Sequence, residues 1–249
     1  MLLNIIKIYV HLVLVKIVTS YKDTKMKVLA FDIGTKTLSL CFLQDTQPPS
    51  DASNDDVKYV IHLWETINIH AEAGLPPQTK PTMKEDAEYM ISTLASRVHA
   101  WMHLQPEAIL IEQQPAGGTN RFSSVRMKIL SHVVHAFFVT QMATGRITKI
   151  PVTFVSPASK LSGMVATLSN GTDQPADPEL SRRSMNAKYR ANKQHAVHTT
   201  SALLATSMDL REPSTADAQQ LFASTRKKDD LSDAFLLARA YILKHRIKD

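Results

Sequence analysis

Apolar positions fall into short strand-like runs early in the chain and into helix-spaced stripes later. Lys27 to Ile33 is an apolar run ending in Asp-Ile-Gly-Thr, and Thr37 to Leu43 is a second, so the pair predicts a hairpin turning near Gly34. Gln44 to Asp56 is rich in Pro, Ser, Asp and Asn and reads as a loop. Val57 to Ile69 alternates at a period near two, which predicts a third strand. From Met83 to His103 the residues Met90, Leu94, Val98, Trp101 and Met102 recur at helical spacing. Ala108 to Glu112 and Val152 to Val155 read as buried strands, with a long helix, Arg121 to Met142, between them. Thr167 to Leu180 reads as a linker, followed by helices over Asn186 to Thr206 and Asp229 to His245 and a shorter one near Ala216 to Phe222. Three strands, a helix, then strand, helix, strand and further helices predict an α/β fold with a mixed five-stranded sheet.

The first 25 residues change this picture. Residues 2 to 18 are almost all apolar, interrupted by Lys7, His11 and Lys16. About a dozen aliphatic side chains at roughly 0.3 to 0.6 kcal/mol each are offset by central lysines at about 2.5 to 3.5, so no stable membrane span is expected. No basic segment precedes the run and no small-residue cleavage site follows it. Met26 opens MKVLAFDIGT, where the first strand starts at once. Residues 1–25 are therefore expected to be an accessory or non-native extension ahead of one domain, 26–249.

Composition sets further limits. With 249 residues, 44% apolar and 21% charged, the chain can close one sizeable core. A single cysteine, Cys41, excludes an intramolecular disulfide and a cysteine-rich zinc site. The net charge of +6 is weaker evidence for a nucleic-acid partner than it looks, because four lysines and one aspartate place three of those charges in the first 25 residues. Local clusters count for more: Arg182, Arg183, Lys188, Arg190 and Lys193 occur without an intervening acid, and Arg226, Lys227 and Lys228 follow. Such clusters suit a phosphate backbone or, equally, a solvated helix face.

The acids carry the chemistry. Asp32 ends the first strand, Glu112 ends a later one, and Asp230 and Asp233 open the last helix in KKDDLSDA. At 100° per residue Asp230 shares a stripe with Ala234, Leu237 and Tyr241, with Asp233 about 60° away and Ser232 and Arg239 on the other side. Each acid also has a structural reading, as a turn former, an edge-strand surface group or a helix cap. Their joint occurrence favours convergence on divalent cations, for which carboxylate oxygens are natural ligands.

These segments, FDIGTKT around Asp32, IEQQP around Glu112 and KKDDLSDA around Asp230 and Asp233, resemble the RNase H-like resolvase group, which includes RuvC and the poxvirus Holliday-junction resolvases. EQQ and KKDD bring the pattern nearer the viral branch, and the resemblance spans residues 26 to about 245. It implies two-metal-ion hydrolysis of branched DNA, with two Mg²⁺ (or Mn²⁺) ions per active site and 5′-phosphate and 3′-hydroxyl ends. Asp32 is expected to bridge the ions, with Glu112, Asp230 and Asp233 completing the shell. Lys160, in VTFVSPASK, is carried over as an active-site cation, and Lys193 as a DNA contact, joined by the basic residues of the two clusters. The group also implies a homodimer, for which the Arg121 to Met142 helix, with Met127, Leu130, Val134, Phe137 and Phe138, offers apolar area, although an ordinary core helix is the commoner reading of such a stripe. If viral, the protein is expected to work inside the host cell, in cytoplasm or nucleus. Thr37 stands where the viral motif has asparagine, and the loops at 44–56 and 163–185 are longer than usual.

Alternatives are a related nuclease acting on other branched DNA or RNA–DNA hybrids, a non-catalytic nucleic-acid-binding domain, and an actin-like ATPase. The last needs a second glycine-rich phosphate loop and an adenosine motif. With 7 glycines, of which only Gly117 and Gly118 are adjacent, the chain supplies neither, so no nucleotide cofactor is expected.

Overall fold

The alternating and apolar runs pair as β1 (Lys27–Ile33), β2 (Thr37–Thr46), β3 (Lys58–Asn68), β4 (Ala108–Glu112) and β5 (Val152–Val155). The structure is a computed structural model that describes residues 25–46, 57–114, 121–157 and 178–246, with the backbone alone at 121–123 and 178–189. The sheet order is β3-β2-β1-β4-β5. β1, β2 and β3 are antiparallel, and β4 and β5 continue parallel to β1, which is the mixed RNase H-like sheet expected. The helices are α1 (Ile69–Glu72), α2 (Met83–His103), α3 (Arg121–Ala143), α4 (Pro178–Thr206), α5 (Pro213–Ser224) and α6 (Lys228–Arg246).

β2 runs through Thr46 instead of ending at Leu43, because Gln44, Asp45 and Thr46 pair with Val60, Tyr59 and Lys58. Asp45 is buried there, and the Arg246 guanidinium donates to it at 2.5 Å, so a polar residue that reads as loop is held inside the sheet. α4 begins at Pro178, within the stretch read as a linker; proline suits a first helical turn, and the residues after it are good helix formers. α1 has no periodic signature because it is a single turn, capped by the Asn68 side chain. α2 opens with a reciprocal Thr82–Glu85 capping box.

Strand alternation divides the core in two. Val28, Ala30, Ala108 and Leu110 face α4, α5 and α6, where Ala196, Phe222, Leu231, Phe235 and Leu237 close over them. Leu29, Phe31, Ile33, Ile109 and Ile111 face α2 and α3, meeting Leu94, Trp101, Leu130, Val134 and Phe138. Each Val, Leu, Ile or Phe among them contributes about 1.5 to 3 kcal/mol on full burial. Leu130, Val134, Phe137 and Phe138 lie in this second core, so of the two readings of this stripe, dimer face or ordinary core helix, the core reading holds. Ser232 is fully buried, its hydroxyl donating to the Lys228 carbonyl at 2.8 Å. Among the described residues no helix is long and apolar enough to cross a membrane.

Candidate active site

The pleat decides where the strand-end acids point. Asp32 follows Val28 and Ala30 on the face covered by α6, and Glu112 follows Ala108 and Leu110 on that same face. β1 and β4 run parallel with Phe31 beside Ile111. One further step along that register brings Asp32 and Glu112 to the ends of neighbouring strands.

The turn after Asp32 is unusually tight. The Gly34 N–H donates to the Thr37 carbonyl at 2.8 Å, and a Cβ at Gly34 would stand 2.6 Å from Thr37 Oγ1. Glycine therefore lets the hairpin close directly beyond the acid. Beside it, the Gln114 amide donates to the Ile33 carbonyl at 3.3 Å, tying the segment after β4 to the end of β1.

Asp230 and Asp233 are delivered by the first turns of α6. Trp64 on β3 donates its indole N–H to the Leu231 carbonyl at 2.9 Å. Its ring stacks on Phe222, with centroids 5.1 Å apart. A side chain from the sheet thus holds the start of α6 in register above β1 and β2.

The result is a cavity of about 710 Å³ walled by Asp32, Glu112, Asp230 and Asp233 together with Lys193 and Lys227. Glu112 and Asp230 are buried, and Asp32 and Asp233 half-buried. Lys227 Nζ donates to Asp230 Oδ2 at 2.5 Å. Lys193 forms an ion pair with Asp229. Burial works to raise the Asp229 pKa, but the hydrogen bond and charge of Lys193, helped by Lys227, prevail and hold it below the usual aspartate range.

Oxygen donors reaching one cavity from two strand ends and a helix start suit a hard divalent cation such as magnesium or manganese. Among the described residues, no three Asp, Glu, His or Cys side chains are grouped closely enough to hold one ion. The donor chemistry fits such an ion, and closing the acids around it takes side-chain movement. Among the described residues, four carboxylates outnumber the ammonium groups of Lys36, Lys193 and Lys227 around the cavity. A polyanion entering it needs added cations.

Of the other expected residues, Lys228 lies outside this cavity in a neighbouring groove, and Arg190 is exposed on α4. Lys160 and the side chains of Arg182, Arg183 and Lys188 lie outside the described residues, as do residues 1–24. The wall also includes Lys36, Asn68, Gln114 and Asn192, which sequence reasoning did not single out. Lys36 and Gln114 sit inside the FDIGTKT and IEQQP segments and could have been found there. Asn68 and Asn192 carry no local signal, since only the fold brings β3 and α4 to this point.

The fold and the cavity define an RNase H-like α/β protein with acids gathered at the ends of two parallel strands. The chain belongs to the family described as mitochondrial resolvase Ydc2 / RNA splicing MRS1, whose profile matches residues 28–165. That span includes Asp32 and Glu112 and ends before Asp230 and Asp233. The matched family is thus the mitochondrial one, whereas the EQQ and KKDD segments resemble the viral branch. Among solved structures, the yeast mitochondrial Holliday junction resolvase Ydc2 superposes with a TM-score of 0.55 at 20% identity, over 90% of this chain and 84% of that one. RuvC from T. thermophilus, solved in complex with Holliday junction substrate, gives 0.48 at 14% identity, over 89% and 96%. No curated protein matches the sequence.

Proposed function

We propose that this protein is a structure-selective endonuclease that resolves four-way DNA junctions by hydrolysing phosphodiester bonds, leaving 5′-phosphate and 3′-hydroxyl ends. One observation carries the reading: Asp32 and Glu112, on neighbouring parallel strands, share a cavity with Asp230 and Asp233. Membership of a resolvase family supports it. In this reading Asp32, Glu112, Asp230 and Asp233 hold two Mg²⁺ or Mn²⁺ ions. When bound, such ions activate water and stabilise the leaving oxygen. The protein's own part is to orient the strand: Lys193, Lys227 and Lys36 meet phosphates, and Lys160 steadies charge at the scissile group.

A homodimer fits a substrate with two strands to cut. The helix proposed for it is still α3, but through Val125, Ile129 and Val139, which are 56%, 42% and 42% exposed. Residues 26–249 form the catalytic domain in this reading, working inside the cell where DNA recombines. A viral source rests on EQQ and KKDD alone.

The test is cleavage of a synthetic four-way junction beside a linear duplex, a flap and an RNA–DNA hybrid, with magnesium, with manganese and with chelator. The expected result is cutting of the junction only when a divalent ion is present. Asp32→Asn is expected to lower the rate on the order of 10³-fold while junction binding persists. Preferential cutting of the flap or hybrid would redirect the assignment to a related nuclease. Unchanged cutting in Asp32→Asn would remove it.

A further inference from the structure

Beside the acidic cavity a second groove runs between α4 and the start of α6. It has a volume of about 490 Å³, and Lys193, Gln194, His198, Arg226, Lys228 and Asp229 are among its lining residues. Lys193 belongs to both walls, so the groove adjoins the cavity. Its carboxylate, Asp229, is neutralised by Lys193. What remains is the charge of Arg226 and Lys228. Arg226 is exposed, and the Lys228 ammonium rests 5.2 Å from the centre of the Phe222 ring, which holds it in place without neutralising it. Arg190, exposed about one turn before Lys193 on α4, extends the same basic edge.

We propose that this groove seats the phosphates of the nucleic-acid strand leaving the acidic cavity, with Arg226 and Lys228 as its charged contacts. The inference rests on the nuclease reading above and adds to it a path for the substrate. Adjacency to the cavity favours a strand over a separate acidic partner. Among the described residues the lining offers no Phe, Tyr or Trp on which bases could stack. In this reading Arg226 and Lys228 meet phosphates, contacts that position the backbone and carry no sequence information.

The test uses the full chain, a labelled four-way junction and calcium in place of magnesium, with binding followed by fluorescence anisotropy between about 50 and 200 mM salt. Removing two duplex-phosphate contacts in Arg226→Ala/Lys228→Ala should flatten the slope of log K against log salt by about 1.8, roughly 0.9 per contact. The loss should be equal on junctions of unrelated sequence, and Arg226→Lys/Lys228→Arg should restore the slope. In magnesium, KM should rise with kcat little changed. An unaltered melting temperature separates this from misfolding. A wild-type slope in the double variant, or a loss confined to one junction sequence, would overturn the groove while leaving the nuclease reading intact. A wild-type chain that neither binds nor cuts any of the nucleic acids overturns that reading, and the groove with it.

Discussion

On one face of the sheet, Asp86 of α2 lies fully buried, with His70 Nε2 at 2.8 Å and the Arg126 guanidinium as its second partner. On the other face, Asp32 and Glu112 end their strands in a cavity shared with two further acids. Asp86 has its counter-charge built in, the Arg126 guanidinium, which also donates to the carbonyl of Pro81 at 2.5 Å, so the network ties α3 to the start of α2. The four cavity acids come from three different elements, and together they outnumber the described lysines around them. A buried acid neutralised by its own fold holds helices together. Acids gathered in excess leave a role for a cation and a substrate from outside.

The sharpest way to break this contrast is to neutralise one acid from each face. Glu112→Gln should reduce junction cleavage on the order of 10³-fold without lowering the melting temperature. If it unfolded the protein and spared the residual activity, the two faces would have exchanged roles. Asp86→Ala should instead lose about 1 to 3 kcal/mol in denaturant unfolding, because it leaves the half-buried Arg126 guanidinium and His70 without the acceptor they share. Cleavage per folded molecule should change little; an unchanged unfolding midpoint would show that the network holds nothing.

Gly34→Ala tests how closely the hairpin governs the site. A methyl group 2.6 Å from Thr37 Oγ1 should cost about 1 to 3 kcal/mol and displace Asp32, so stability and cutting fall together. The smallest effect concerns Asp229. Its folded pKa is depressed, so the Lys193 contact stabilises above the ordinary aspartate value of about 3.9 and is lost as pH falls through the folded value. Partial exposure screens the pair. Asp229→Asn should therefore flatten the acid limb of melting temperature against pH slightly, with neutral-pH melting barely moved. An acid limb as steep as that of the wild type would show that the contact contributes nothing.

Much of the fold was legible because burial on both faces makes β1 and β4 apolar runs, each with one acid at or next to its last residue. That the acids at 32, 112, 230 and 233 belonged together was also readable, from strand ends and helix start. Other features could not be read. The buried Asp45 looked like loop because its partner, Arg246, lies 201 residues away. The stripe of α3 was open to two uses, core or dimer face, and packing on the sheet makes it core.

What the sequence determined by itself was the order of the strands and helices and the residue at each strand end, since periodicity and burial are local properties of the chain. The tertiary structure decided which face each acid takes, how the β1–β4 register brings Asp32 beside Glu112, and how Trp64 sets the start of α6 above them. It alone revealed the second groove, because that surface exists only where α4 crosses α6. The physical reason is that a side chain's direction follows from its own backbone, whereas its neighbours follow from contacts between segments far apart in sequence.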